Sequence, residues 1–154
     1  MSREQPAGPR QALAAFHQAM LDASPDDLAD LHAIDAIYEF PFLNPARPAR
    51  YEGREQIRAG FREAWGTFTG RPLKSIHDVV VHETTDAEVI IAEQQFDVVP
   101  GSAGRRFTSS FLLVLRVRDG LIVHTRDYAD TLRTARGTGR LPALLAGLDE
   151  RPTP

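Results

Sequence analysis

Two runs of alternating apolar residues, 106–118 and 121–132, flank an Asp119-Gly120 pair, and this pattern constrains the fold more than any other stretch. Asp-Gly suits the two-residue turn of a β-hairpin, because both turn residues take positive φ angles that Asp and Gly tolerate. The second run carries a carboxylate, Asp127. We therefore predict an antiparallel hairpin whose second strand brings Asp127 into the protein interior.

Strand parity supports an interior position for Asp127. Side chains alternate between the two faces of a strand, so Asp127 and Thr125 share a face with Leu121 and Val123. These neighbours form an apolar lining that suits the interior. If the protein has an active site, we expect Asp127 to be near it.

Helices come first in the chain and strands follow. Ser24 is suited to cap a helix that begins at Pro25, since its hydroxyl can accept from a free N–H of the first turn. Helices grouped ahead of an antiparallel meander are typical of an α+β fold, with the helices covering one face of a curved sheet. Such a sheet forms a cone with a cavity at its open end. The predicted helices are 11–22, a segment starting at Ser24, 53–65 and 142–148, and the predicted strands are 34–42, 73–83, 88–99, 106–118 and 121–132.

The composition limits the classes of function. A chain of 154 residues suffices for one domain, and we predict a single domain over residues 10–148 with disordered tails at 1–9 and 149–154. The net charge of −3 gives no sign of a nucleic-acid partner, and no apolar run approaches the length of a membrane span. The lack of cysteine excludes disulfides and thiolate metal sites, and the N-terminus lacks an apolar signal core, so a cytoplasmic location is the default expectation.

A set of sequence features in a fixed order indicates more than the fold class. They are the paired N-terminal helices, residues 38–42, residues 51–57, the hairpin at 118–122 and the run Arg-Asp-Tyr-Ala-Asp at 126–130. In these features the chain resembles the SnoaL-like branch of the nuclear transport factor 2-like superfamily, over residues 10–135. The resemblance implies a cone-shaped, curved antiparallel (mixed) sheet covered by three N-terminal helices, a cystatin-like α+β barrel. This fold hosts isomerases, cyclases, epoxide hydrolases, dehydratases and non-catalytic binding subunits.

The site residues of two enzyme types with this fold can be compared with this chain position by position. The positions that carry the base, the tyrosine and the protonated aspartate of ketosteroid isomerases correspond to Phe40, Phe16 and Ser110. None of these side chains can perform that chemistry. The sequence therefore does not predict steroid isomerisation by the catalytic residues of those enzymes.

Limonene epoxide hydrolases share more of their site with this chain. Tyr38, Asp97 and Asp127 match their tyrosine and two aspartates, whereas Gln95 replaces the arginine and Phe40 replaces the asparagine. The bridging cation and one ligand of the attacking water are therefore missing. In polyketide cyclases of the SnoaL-like branch, a single aspartate performs acid–base work on an activated methylene, a role that Asp127 alone could fill.

Parity also places Gln95 and Asp97 on one face of their strand, and we expect this face to line the same apolar cavity as Asp127. Two carboxylates in one apolar cavity repel each other when both are ionised, so one pKa should rise and the other fall. We predict Asp127 as general base, Asp97 as general acid, and Tyr38 and Gln95 as hydrogen-bonding partners. The predicted substrate-binding residues are Gln95, His17, Phe16, Phe40, Phe42, Phe61, Trp65 and Phe111.

No metal or cofactor is expected. The five histidines show no metal-ligand spacing, and the chain contains neither a phosphate-binding glycine loop nor a nucleophile elbow.

A structural role is open for several of the candidate residues. Asp127 could be a structural aspartate that pairs with Arg126, Arg62 or a loop amide. Asp97 could be a solvated strand end, and Asp130 could cap the end of the last strand. Core packing is open for Tyr38, His17 and Trp65.

Two functions from different classes follow. The first is a cofactor-independent acid–base enzyme, a cyclase, isomerase or hydrolase, acting on a small, mostly apolar, polyketide- or terpenoid-like molecule. The alternative is a non-catalytic small-molecule-binding or accessory protein on the same fold. A sealed or apolar-filled cone in which an arginine neutralises Asp127 would argue against the enzyme.

An outer sheet face with apolar side chains needs a cover. The residues expected there are Leu112, Val114, Ile122 and His124. Members of the superfamily usually dimerise through this face, so we predict a homodimer.

Overall fold

In a computed structural model, residues 8–68, 70–101 and 105–150 are described. The described part contains five helices and six strands. The helices are α1 (Pro9–Leu21), α2 (Pro25–Asp30), α3 (Arg54–Gly66), α4 (Thr131–Gly137) and α5 (Leu141–Asp149), and the strands are β1 (His32–Glu39), β2 (Arg50–Glu52), β3 (Leu73–Glu83), β4 (Val89–Val98), β5 (Phe107–Arg118) and β6 (Leu121–Ala129).

The predicted disordered tails fall mostly on residues 1–7 and 151–154, which lie outside the described residues. At the inner edges of both tails the chain is helical, since Pro9 begins α1 and Asp149 ends α5. None of the described helices is both long and apolar enough to cross a membrane.

The six strands form one curved, unclosed sheet in the order β2-β1-β6-β5-β4-β3. The β1–β6 pair is parallel and the other pairs are antiparallel, so the predicted mixed sheet and α+β class are confirmed. The predicted hairpin turn is also confirmed, because Asp119 and Gly120 both have positive φ, at 52° and 77°. The chain thus returns directly from β5 to β6, the strand that carries Asp127.

Capping explains where the helices near the sheet begin. The Ser24 hydroxyl accepts from the backbone N–H of Asp27 at 3.2 Å, and Pro25 occupies the first position of α2, as predicted. Asp130 plays the same role for α4, a helix that the sequence pattern did not predict. Its carboxylate accepts from the N–H of Arg133 at 3.0 Å and starts α4, so the last strand ends at Ala129 rather than at Leu132.

The concave face of the sheet and helices α1 to α3 enclose the core. Tyr38 is fully buried at the centre of an aromatic cluster, with ring centroids 5.0 Å from Phe40, 5.1 Å from Phe61 and 6.4 Å from Phe16. Each well-oriented aromatic pair stabilises the fold by about 0.5–1.5 kcal/mol beyond the area it buries. The core is therefore packed tightly between β1 and helices α1 and α3.

A β-bulge in β6 changes which of its residues face inward. Val117 pairs with Ile122 and Arg116 pairs with His124, so the register across the hairpin skips Val123. The extra residue reverses the alternation, and Ile122 and Thr125 are both fully buried. The prediction that Ile122 lies on the outer face is therefore wrong, as is the parity argument that grouped Asp127 with Val123.

Candidate functional site

A hydrogen-bonded pair, Tyr38 and Asp127, lies inside the cone on neighbouring strands. Because β1 and β6 run parallel with Tyr38 opposite Thr125, the side chain two positions further along β6 comes within reach of the tyrosine. The Tyr38 hydroxyl donates to Asp127 Oδ2 at 2.8 Å. Tyr38 is fully buried and Asp127 is 7% exposed. The fold thus holds a carboxyl group and its donor away from bulk water.

Burial dominates the electrostatics of this pair. It raises the pKa of Asp127, and the hydrogen bond from Tyr38 and the positive charge of Arg47 oppose that rise. Burial, and then the negative charge of Asp127, hold the pKa of Tyr38 well above its usual range. Tyr38 therefore stays a neutral donor, while Asp127 is a stronger base than an exposed aspartate.

Two buried polar atoms lack a hydrogen-bond partner among the described residues. They are Oδ1 of Asp127 and Nε of Arg47. One is an acceptor and the other is a donor. Buried polar groups are almost always paired, so an unpaired acceptor and an unpaired donor in one region mark it for function.

Arg47 was not identified from the sequence. It lies in the loop after β1, which is closed by a hydrogen bond from the Phe40 N–H to the Ala49 carbonyl at 2.8 Å. Asn44 shapes the turn inside this loop, since its side chain accepts from the Ala46 N–H at 2.9 Å. The guanidinium carbon of Arg47 lies 3.7 Å from the ring centroid of Phe40. The one sequence signal for this residue is a proline-containing loop after a strand, a position that often borders a pocket.

A cavity of about 470 Å³, here called the mouth cavity, lies between this loop and helices α3, α4 and α5. It reaches Ala129, two residues beyond Asp127 on β6. Its volume lies within the range of small-molecule sites. Its polar lining comes from Asn44, Arg47, Tyr51, Glu63, Thr67, Thr131, Thr134, Thr138 and Arg140.

Asp97 does not share the interior with Asp127, so that prediction is wrong. Asp127 on β6 lies opposite Leu113 on β5, and Leu113 lies opposite the buried Ala92 on β4, so these three residues share the inward face. Asp97 is five positions from Ala92 on the same strand and lies opposite Thr108. Inward-facing residues of β4 therefore have even numbers, and Asp97 is on the outer face.

The outer-face environment of Asp97 is that of a structural carboxylate. Thr108 donates to it at 2.6 Å, Arg106 at 2.9 Å and Ser75 at 2.8 Å, and a ring nitrogen of His77 lies 3.2 Å away. These hydrogen bonds, that of Thr108 first, hold the pKa of Asp97 far below its usual range. A carboxyl group held this firmly in its ionised form is unsuited to act as a general acid.

The same register corrects the position of Gln95. It lies opposite Ser110 on the outer face, and its neighbour Gln94 is the buried, inward-facing glutamine. A ring nitrogen of His17 lies 2.7 Å from the Gln94 side-chain oxygen. Burial lowers the pKa of His17, which favours the neutral ring. His17 therefore faces inward from α1 as expected, with Gln94 rather than Gln95 beside it.

The predicted aromatic lining divides between the interior and the surface. Trp65 is half-buried against Phe61 at a ring distance of 5.0 Å. Phe42 is 56% exposed and packs against Tyr128 at 5.3 Å, because β1 ends at Glu39 and the alternation stops there. The prediction that Phe42 faces the cone is therefore wrong. The predicted aromatic residues that are buried are Phe16, Phe40, Phe61 and Phe111.

A larger groove of about 980 Å³, here called the outer groove, lies on the other face of the sheet. Neither Tyr38 nor Asp127 lines it, and it meets the mouth cavity at Ala129 and Thr131, which line both. Its apolar lining is Phe42, Leu43, Val80, Ile91, Phe111, Leu112, Val114, Tyr128, Ala129 and Leu132. A groove of this composition suits a macromolecular partner better than acid–base chemistry.

The partners considered for Asp127 as a structural aspartate are engaged elsewhere. Arg126 pairs with Glu39 at 3.4 Å, and Arg62 pairs with Asp26 at 2.9 Å. Within the described ranges, no group of three or more His, Asp or Glu side chains is arranged to hold a metal ion.

Comparison with known proteins places this geometry among similar folds. The SnoaL-like domain family matches residues 13–125. An uncharacterized PhzA/B-like protein of Pseudomonas aeruginosa is 33% identical over 114 residues, which cover 74% of this chain and 78% of that protein.

Two solved structures show how far the similarity extends. A Bacillus subtilis protein provisionally named an isomerase is 27% identical, with a TM-score of 0.76 over 85% of this chain and 92% of its own. A Xanthomonas campestris protein provisionally named a polyketide cyclase is 19% identical, with a TM-score of 0.67 over 84% of this chain and 95% of its own. The second similarity extends to the fold alone.

Proposed function

Because this chain belongs to the SnoaL-like family, we propose that it is an acid–base enzyme acting on a small, mostly apolar molecule, with Asp127 as the proton acceptor. The observation that carries the proposal is the Asp127 carboxylate itself. One of its oxygens is held by Tyr38, and the other is buried without a partner among the described residues. A carboxylate with one oxygen anchored and one oxygen free is suited to take a proton from a bound substrate.

The proposed step is removal of a proton from a carbon next to a carbonyl group. Asp127 Oδ1 takes the proton, the C–H bond breaks, and its electron pair moves into the carbonyl to give an enolate. If a carbon–carbon double bond adjoins the carbon that loses the proton, the charge spreads over a dienolate, and return of the proton from Asp127 to the far carbon moves the double bond, which is isomerisation. If the substrate has a second carbonyl, attack of the enolate carbon on it closes a ring and gives an alkoxide, which takes the proton back from Asp127. Burial supports this step because it makes Asp127 a stronger base.

Tyr38 is proposed as a positioning residue. Its hydrogen bond fixes the orientation of the carboxylate and stabilises the ionised form that accepts the proton. Its raised pKa keeps its own proton in place throughout the working pH range. The tyrosine therefore balances the effect of burial, so that Asp127 is basic yet still ionised.

The apolar character of the substrate follows from what surrounds the carboxylate. Tyr38 packs against Phe40 and Phe61, so a ligand that approaches Asp127 meets aromatic rings. Asp97 has no part in this scheme because it lies on the outer face. The mechanism is therefore a single-carboxylate one, in keeping with the cyclase and isomerase names among the similar structures.

A second candidate function, a non-catalytic small-molecule-binding protein, is favoured by one observation. Asp127 is not in the wall of the mouth cavity, and the cone around it is largely filled by aromatic side chains. Arg47 also lowers the pKa of Asp127 through its charge, although no ion pair joins the two residues. In this second function the mouth cavity binds a ligand and Asp127 only stabilises the interior.

Proton exchange in deuterated water separates the two functions without knowledge of the natural substrate. Small cyclic ketones and β-keto esters are incubated with the protein, and loss of the proton next to the carbonyl is followed by NMR. The wild type should accelerate exchange, and Asp127→Asn should reduce the acceleration by about 10²–10⁴-fold, the usual contribution of a general base.

Asp97→Asn is the matched control, since it makes the same chemical change on the opposite sheet face. Its exchange rate per folded molecule should equal that of the wild type. Equal exchange by wild type and Asp127→Asn would leave the binding function as the better one.

A further inference from the structure

We propose that Arg47 binds a carboxylate group of the ligand, so that the site takes a small apolar carboxylic acid. The inference rests on the proposed function for what happens to the acid afterwards, but not for its binding. It starts from two buried side-chain atoms that each lack a hydrogen-bond partner among the described residues, Nε of Arg47 and Oδ1 of Asp127.

The Arg47 guanidinium stacks on the ring of Phe40 at 3.7 Å but pairs with no described carboxylate. Arg58 and Arg116, for comparison, each pair with two or more carboxylates at the surface. Arg47 forms no ion pair with any described residue, and its Nε donor is buried without an acceptor. A buried donor of this kind costs free energy until an acceptor arrives, and a ligand oxygen removes that cost.

The position of Arg47 makes it accessible to a ligand. The residue lines the mouth cavity, and its charge is close enough to Asp127 to lower the pKa of that carboxyl group. It is thus the residue shared by the cavity and the buried carboxylate.

The chemistry of the cavity favours a negatively charged group. Arg140 lines the same cavity and, like Arg47, pairs with no described carboxylate; its guanidinium carbon lies 5.7 Å from the ring centroid of Phe68. Glu63 is the acidic residue among the described lining. Two arginines against one glutamate give the lining of the cavity a net positive charge. A guanidinium group also matches a carboxylate with two parallel hydrogen bonds, which gives orientation as well as attraction.

The two unsatisfied atoms together define a ligand type. Arg47 requires an acceptor, and Asp127 requires a donor or an acidic C–H. A keto acid or a related enolisable acid carries both, with its apolar remainder between them. A neutral hydrocarbon-like molecule would leave the Arg47 donor unpaired.

Binding of benzoate, compared with benzamide, tests the inference by isothermal titration calorimetry. The two probes have the same shape and differ in charge. The wild type should bind benzoate at least about tenfold more tightly, the value expected when a charged group gains hydrogen bonds. Equal affinity for the two probes would overturn the inference.

Arg47→Met removes the guanidinium group but keeps an unbranched apolar stem over Phe40, and it should abolish the preference for benzoate. Arg50→Met is the matched control, because it makes the same change in net charge at an exposed arginine that pairs with Glu52 at 3.0 Å. This control should retain the preference. A preference that survives Arg47→Met, or one that is lost equally in Arg50→Met, would contradict a specific role for Arg47.

If Arg47→Met does not fold, Arg47→Lys tests the role of the guanidinium group instead. Lysine keeps the positive charge but cannot present two parallel donors. Benzoate affinity should fall by several-fold or more, and an unchanged affinity would overturn the inference.

Asp127→Asn separates this inference from the proposed function. It removes a negative charge near Arg47, so benzoate affinity should stay the same or increase. Arg47-dependent benzoate binding without any Asp127-dependent proton exchange would support the carboxylate site and refute the enzyme. Asp127-dependent proton exchange without a preference for benzoate would support the enzyme and refute the carboxylate site.

Discussion

Tyr38 and Asp127 are 89 positions apart in the sequence, and the tyrosine hydroxyl lies 2.8 Å from the aspartate Oδ2. The parallel pairing of β1 with β6 brings them together. The hydrogen bond occupies one carboxylate oxygen and leaves the other buried without a partner among the described residues. The chemistry proposed for the site depends on that asymmetry.

Replacement of Tyr38 by phenylalanine tests the hydrogen bond. The change removes the hydroxyl that donates to Asp127 and leaves a buried carboxylate oxygen unpaired, so the pKa of Asp127 should rise further and stability at pH 7 should fall by about 1–3 kcal/mol. Carboxyl-carbon NMR titration reports the pKa, and urea unfolding reports the stability. Tyr51→Phe is the matched control, since its ring is half-buried and its hydroxyl does not donate to Asp127. A similar loss of stability in that variant would mean that the hydrogen bond is unimportant.

The pH dependence of stability should reveal the buried carboxyl group. The folded-state pKa of Asp127 is raised above its ordinary value of 3.8, so the folded protein holds the proton more tightly than the unfolded chain. The contribution of Asp127 to stability is therefore fully present below pH 3.8 and is lost as the pH rises through the folded-state pKa.

Asp127→Asn removes this titration. The stability of the variant relative to the wild type should increase as the pH rises above 3.8, as measured by urea unfolding at a series of pH values. If Asp127 is a structural residue instead, the variant should show a clearly lower melting temperature at neutral pH. A constant difference between the two proteins across the pH range would contradict a raised pKa.

Asp97 should behave in the opposite way. Its folded-state pKa is lowered, so its contribution to stability is present above its ordinary pKa of 3.8 and is lost as the pH falls toward the folded-state value. Asp97→Asn should lower the melting temperature at pH 7, and the difference from the wild type should shrink on acidification. Thr108→Val, which removes the 2.6 Å hydrogen bond, should show a weaker effect in the same direction. An unchanged melting temperature in both variants would count against this network.

The outer groove should be the contact between two copies of the chain. It is larger than the mouth cavity and is lined mainly by apolar side chains. We expect a homodimer in light scattering after size-exclusion chromatography, and Leu112→Lys should convert it to a monomer. Ile34→Lys is the control, since Ile34 is 78% exposed but does not line the groove. A monomeric wild type would refute the expectation.

The sequence determined the fold class and the interior position of Asp127. Local chemistry was enough for this, because an Asp-Gly turn, a capping serine and alternating apolar residues act through neighbours in the chain. The same alternation failed where a strand contains an extra residue. The bulge at Val123 reverses the parity of β6. In β4 the alternation is unbroken, and Gln95 and Asp97 do share a face, but alternation alone does not tell which face is the inward one, and that face belongs to Gln94.

Tertiary structure alone decided which polar groups meet. The register between strands placed Asp97 outside and Tyr38 against Asp127, and neither register can be obtained from one strand by itself. The loop after β1 carried Arg47 back over Phe40 and left its donor buried, a result of chain path rather than of any motif. Contacts between residues far apart in the chain arise only when all the elements pack together, and the proposed site consists of such contacts.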